Sequence, residues 1–179
     1  METTQIQLFI AQSIDGYIAR EDGSLDWLLG LPNPKRIDHG YNELINGVDT
    51  IIMGRKTYEE LLALVEEWPY PNYKTYVVTG DQEYRVKTEQ TFPLYQIDRE
   101  TIENLKSEST KNIWLVGGGT LITQFLNLDA IDEMTLSIIP VILGKGIRLF
   151  SDSPKETPYT LIKLESFETG VVNLVYRNK

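Results

Sequence analysis

Val48-Asp49-Thr50-Ile51-Ile52-Met53-Gly54-Arg55-Lys56-Thr57-Tyr58 is the stretch on which the reading of this chain turns. Val48 to Met53 is short, apolar and rich in β-branched residues, as a strand buried inside a sheet requires. Gly54 follows at once and frees the backbone for a sharp turn. Tyr58 to Val65 then carries Leu61, Leu62, Leu64 and Val65, which predicts a helix. Strand, glycine and helix in that order form the joint of a βα unit, whose strands pair in parallel. The same grammar returns downstream. Ile113 to Val116 reads as a strand, runs into Gly117-Gly118-Gly119, and opens a helix from about Thr120 to Leu126.

Outward from these joints, Ile6 to Ala11 reads as a buried strand ending in turns at Asp15-Gly16 and Asp22-Gly23-Ser24. Leu31-Pro32-Asn33-Pro34 is a loop, and Ile37 to Ile45 has Ile37, Tyr41, Leu44 and Ile45 at helical spacing. Tyr76 to Val78 and Leu94 to Ile97 read as strands, and Asp98 caps a helix to about Lys106. Met134 to Val141 is a strand and Gly144 to Gly146 a turn. Tyr159–Phe167 and Val171–Tyr176, split by Glu168-Thr169-Gly170, form an antiparallel hairpin. Strands that alternate with helices and then close in a hairpin predict an α/β three-layer sandwich. Its central sheet is mostly parallel with an antiparallel C-terminal edge. No repeat or linker interrupts the chain, so residues 1–179 are expected to form one domain.

Composition narrows the functional classes. With no cysteine and one histidine, His39, the chain offers no thiolate nucleophile, no disulfide and no ligand set for a transition metal. His39 lacks the Gly-x-Ser-x-Gly companion of a hydrolase triad. A net charge of −9 disfavours general nucleic-acid binding, which depends on phosphate neutralisation. No apolar window approaches the ~20 residues of a membrane span. Met1 to Gln12 has neither the basic start nor the apolar run of a secretory leader. A cytoplasmic location is therefore expected.

The two joints carry the chemical content. Gly54, Arg55, Lys56 and Thr57 combine a helix N-terminus with two cations and a hydroxyl, a set suited to a phosphate monoester. The alternative is an ordinary helix start with a solvated basic pair. Gly117, Gly118, Gly119 and Thr120 leave bare backbone at another helix start, where a pyrophosphate can lie; the alternative there is a flexible turn. Neither joint matches G-x-G-x-x-G or the P-loop. Two phosphate-type joints in one small sheet point to one extended ligand with two phosphate groups.

At these residues the chain resembles the dihydrofolate reductase superfamily, through Met53 to Glu59 and Gly117 to Leu126. It is more closely similar to stand-alone relatives of the C-terminal reductase domain of the riboflavin-biosynthesis deaminase-reductase. That likeness is carried by Ser13 to Ala19, Gly23 to Leu28 and Ile139 to Gly146. The resemblance implies NADPH as cofactor, with Gly54, Arg55, Lys56 and Thr57 holding its adenosine side and Arg55 or Lys56 near the 2′-phosphate, Gly117 to Thr120 at the pyrophosphate, Thr79 near the adenosine, and Ala11, Ile18 and the Asp15-Gly16 loop flanking the nicotinamide. It also implies a pterin-holding acid at Asp38, with Ser137 as a possible hydrogen-bonding neighbour. Taken from the residues alone, the alternatives are a helix-start acid at Asp38 and a core serine at Ser137.

Two departures from those families are visible. Tyr73, beside Lys74, stands where folate enzymes carry the arginine that binds the glutamate tail, which argues against efficient folate reduction. The chain also lacks the ligands of a zinc deaminase. The expected activity is therefore hydride transfer from NADPH to a pterin-like or pyrimidine-like heterocycle, similar to 5-amino-6-(5-phosphoribosylamino)uracil reductase, by a homodimer. The competing expectation is a non-catalytic NADPH- or pterin-binding protein.

Overall fold

The computed structural model describes residues 3–151 and 153–179. Its centre is an eight-stranded sheet built from β1 (Ile6–Ser13), β3 (Val48–Gly54), β4 (Lys74–Val78), β5 (Thr91–Leu94), β6 (Asn112–Gly117), β7 (Glu133–Ile139), β9 (Tyr159–Ser166) and β10 (Val172–Asn178). The spatial order is β5-β4-β3-β6-β1-β7-β10-β9. Pairing is parallel from β5 to β7, and β10 and β9 close the far edge antiparallel. A two-stranded ribbon, β2 (Tyr17–Ala19) with β8 (Ile147–Arg148), sits beside it.

Alternate strand residues feed two cores. Ile51, Met53 and Val77 face α2 (Tyr41–Gly47) and α3 (Arg55–Leu64), where Leu44 and Tyr58 are buried. Ile52, Leu8 and Leu115 face α4 (Arg99–Glu108) and α5 (Gly119–Asn127), which bury Ile102, Leu105, Ile122 and Phe125. A side-chain period of two distributes one strand's apolar residues to both faces. The result is helix, sheet, helix, the three layers expected. Among the described residues no helix is long and apolar enough to cross a membrane.

Asp98 caps α4 as expected, its carboxylate accepting from the Thr101 amide at 2.8 Å. Two local expectations need correction. The helix expected over Ile37 to Ile45 begins only at Tyr41, because Arg36 (φ 51°), His39 (φ 52°) and Gly40 (φ 89°) take left-handed conformations that break any earlier turn. The strand expected at Leu94–Ile97 lies at Thr91–Leu94, with Pro93 inside it. β5 is an edge strand, where a missing N–H costs no ladder bond. The turn at Gly144–Gly146 leads into β8, and a short helix α1 (Asp26–Leu29) follows the first loops. Neither element was expected.

Candidate cofactor groove

The chain runs β1, then outward through β3, β4 and β5, and returns as β6 into the gap between β3 and β1. Loops diverge at the carboxyl ends of strands where the winding reverses, which is where open α/β sheets bind ligands. β3 and β6 are adjacent there, Met53 pairing with Gly117, so the two glycine joints stand side by side. A methyl group built on Gly54 would lie 3.7 Å from the Gly117 carbonyl oxygen.

Both joints open helices whose first-turn amides have no side-chain cap. The residue before α3 is Gly54 and the residue before α5 is Gly118, neither with a capping side chain. Tyr58 fixes the α3 end. Its ring is fully buried, and its hydroxyl lies 2.9 Å from Thr88 Oγ1 and accepts from the Lys87 amide at 2.9 Å. At the other joint Gly117 has φ +139°, a conformation that side chains disfavour. Gly119 is covered by the Arg148 carbonyl, with which any β-carbon would collide. A β-carbon on Gly118, in contrast, would have Thr57 Oγ1 as its nearest neighbour, at 3.6 Å. The three glycines thus have three different reasons, and that at Gly118 is open space in the groove.

These joints are the middle of a groove of about 730 Å³. It brings together Ala11, Ile18, Gly54, Arg55, Lys56, Thr57, Thr79, Gly117, Gly118, Gly119 and Thr120, all expected from the sequence. One end is walled by Thr79, Gly80 and Asp81 after β4; the other is apolar, with Ile10, Ala11, Ile18, Leu25 and Leu28. Its volume falls within that of ordinary ligand sites, and the uncapped helix amides at its middle suit phosphate oxygens. Arg55 is engaged by Asp81 at 3.2 Å and lies 5.4 Å over the Tyr84 ring, and Lys56 makes no ion pair among the described residues.

Asp38 and Ser137 are not on the groove wall. Asp38 sits in the turn before α2 rather than on the helix. There its carboxylate accepts from the Asn42 amide at 2.9 Å, and that bond holds it below the usual carboxylate range. Ser137 is buried one strand over from Ala11, its register partner, and donates to Asn173 Oδ1 at 2.7 Å. Asn173 in turn donates to the His39 carbonyl at 2.7 Å. A hydrogen-bonded chain therefore leads from beside the apolar end of the groove to the residue next to Asp38. The Asp15 loop is tied down by the Ser13 hydroxyl (2.7 Å) and the Leu143 and Gly144 amides. These hold its carboxyl below the ordinary value against a smaller opposing effect of burial.

Sequence reasoning missed Glu60, Asp81, Gln124 and Arg148 on the wall. Glu60 lies against Gly23 of the first loop, 2.5 Å from where a β-carbon would be, and burial pushes its carboxyl up with Lys56 partly offsetting it. Asp81 lies two residues past the expected Thr79, so it was within reach of the sequence. Arg148 carried no signal, because β8 is two residues long.

Residues 4–174 match the model of the RibD C-terminal domain. The chain belongs to that family. The RibD C-terminal-like chain is 40% identical over 164 residues to YwjB of Bacillus subtilis (strain 168), covering 92% of each. Its fold superposes with TM-score 0.88 and 32% identity on a Shewanella sp. PV-4 protein whose crystal structure carries a provisional riboflavin-biosynthesis name, over 98% and 99% of the chains. It also shares its fold with dihydrofolate reductase from Enterococcus faecalis, solved with NADP(H), at TM-score 0.69 and 17% identity over 98% and 96% of the chains. The RibD C-terminal-like chain thus has the dihydrofolate reductase fold and the reductase-like character of its family.

Proposed function

We propose that this protein is an NADPH-dependent reductase of a pterin-like or pyrimidine-like heterocycle, in the manner of 5-amino-6-(5-phosphoribosylamino)uracil reductase. The observation that carries this is the pair of uncapped helix N-termini, adjacent at the reversal of the sheet and joined by one groove with an apolar end. The family supports the reductase class, and NADP(H) in the Enterococcus enzyme supports the cofactor. Gly118 supplies bare backbone and Thr57 and Thr120 hydroxyls at the pyrophosphate; Arg55 and Lys56 face the adenosine side; Ala11 and Ile18 flank the nicotinamide. When bound, the cofactor supplies the hydride. The protein's part is to exclude water with Ile10, Ala11, Ile18, Leu25 and Leu28 and to hold the acceptor ring against the reacting carbon.

The heterocycle is placed on the Ala11 and Ser137 side of β1, where the Ser137–Asn173–His39 chain ends near Asp38. In this reading Asp38 and Ser137 serve the reacting ring. Asp38→Asn should lower turnover and leave cofactor affinity unchanged; unchanged turnover with lowered stability would leave Asp38 as the α2 cap alone. We propose a cytoplasmic homodimer of single-domain subunits that binds neither nucleic acid nor membranes and holds no metal.

The test is NADPH oxidation with a panel of dihydropterins, dihydrofolate and ribosylaminouracil phosphates. Turnover above background is expected with at least one of the pterin or pyrimidine compounds. Tight NADPH binding with no turnover on any of them would overturn catalysis in favour of a cofactor- or pterin-binding protein.

A further inference from the structure

The adenosine end of the groove contains a carboxylate where the cofactor's most negative group would sit. Asp81 Oδ2 receives Arg55 Nη1 at 3.2 Å, and Arg55 Nε lies 3.9 Å from Glu59. The ring of Tyr84 beneath the guanidinium steadies it in that pose. Asp81 is itself fixed. Its Oδ1 accepts from the Glu83 amide at 3.0 Å, and its own amide donates to Thr79 Oγ1 at 3.2 Å. Arg55 is therefore answered at this end by Asp81 and Glu59, two negative charges against its one positive.

This arrangement bears on the choice of nicotinamide nucleotide. A 2′-phosphate brings close to two negative charges and must draw Arg55 away from Asp81 or settle beside that carboxylate. A ribose 2′-hydroxyl faces no such cost, because it can donate to a carboxylate. An acid on the 2′-hydroxyl marks NAD sites, and an arginine on the 2′-phosphate marks NADP sites. Here both stand at one position, paired with each other.

We infer that Asp81 sets the cofactor selectivity of the groove: it holds Arg55 back from the 2′-phosphate, so the protein accepts NADH alongside NADPH. The inference rests on the groove being the nicotinamide nucleotide site. Lys56 and the released Arg55 leave NADPH the better ligand, but by a narrow margin.

The experiment compares wild type, Asp81→Asn and Asp81→Asn/Arg55→Ala in the full chain. Dissociation constants are measured for NADPH, NADH, adenosine 2′,5′-bisphosphate and AMP. Asparagine keeps an oxygen for the Glu83 amide, so the turn is preserved. In wild type the NADPH and NADH constants should lie within about tenfold of each other. Asp81→Asn should widen that ratio by about another tenfold, the factor that one charge-assisted hydrogen bond supplies, and chiefly by tightening NADPH. The two adenosine ligands should shift in the same way, and adding Arg55→Ala should abolish the gain. An unchanged or narrowed ratio in Asp81→Asn overturns the inference while leaving the groove intact. Failure of wild type to bind either dinucleotide overturns the groove reading, and the inference with it.

Discussion

At the scale of single residues, adjacent glycines divide between function and folding. Gly118 is extended (φ −80°), so a side chain there meets no backbone strain, and its nearest neighbour would be Thr57 in the groove. Gly118→Val should therefore unfold cooperatively near the wild-type temperature yet gain no melting temperature from added NADPH. Wild type should rise with NADPH concentration by mass action. Gly119→Ala should behave in the opposite way. Its β-carbon would strike the Arg148 carbonyl, backbone that cannot swing aside, at a cost of about 1–3 kcal/mol of folding stability. Comparison of the two melting curves checks both expectations. A Gly118→Val protein that is stabilised by NADPH like wild type would reduce the glycine run to a turn. Sequence suggested that the run mattered, but it could not separate these positions. The difference lies in which atoms of β8 and α3 arrive opposite each glycine.

At the scale of elements, the start of β3 is tied to the start of β6 by Asp49. One carboxylate oxygen accepts from the Thr110 amide (2.8 Å), the Thr110 hydroxyl (2.7 Å) and the Lys111 amide (3.0 Å). Partial burial pushes this carboxyl up, but the hydrogen bonds outweigh it and hold it below its ordinary value. A group depressed in the folded state contributes stability above its unfolded pKa, about 3.9, and loses it as the pH falls through the folded value. Asp49→Ala should therefore cost about 1–3 kcal/mol near neutral pH. The gap to wild type should close as the pH falls below about 4. Denaturant titrations across that range measure it, and a gap independent of pH would remove the ionised carboxylate from the account. The sequence showed β3 clearly, because its apolar run admits little else. It did not show the tie, since Asp49 and Thr110 are brought together only by parallel pairing of β3 with β6. The shortened α2 has a similar origin: Ile37, Tyr41, Leu44 and Ile45 keep helical spacing, yet the left-handed His39 and Gly40 intervene.

At the scale of the whole molecule, the sheet ends on a strand with little cover. β9 is outermost, and Leu161, Ile162 and Leu164 are 47%, 43% and 61% exposed. An open apolar edge of this kind is a liability that proteins usually cover, and a second copy would do so. We expect a homodimer joined through this edge, measured as a dimer mass by light scattering at micromolar concentration. Ile162→Glu should yield a folded monomer. A monomeric wild type under those conditions would reject the association.

The sequence by itself determined the class of fold and the middle of the groove. Both depend on local rules: a β-branched run buried on two faces, a glycine that ends it, and helix amides left free where no side chain caps them. Gly54 to Thr57 and Gly117 to Thr120 could be found because each lies within a few consecutive residues. Tertiary structure alone decided what meets across that groove. The pairing of Arg55 with Asp81 joins positions separated by a strand and a loop, Arg148 reaches the wall through a two-residue strand, and Asp38 lies in a turn instead of on a helix. Contacts of this kind follow from strand order and loop path, which periodicity along the chain does not encode, because period reports which face a residue takes and not which element lies opposite it.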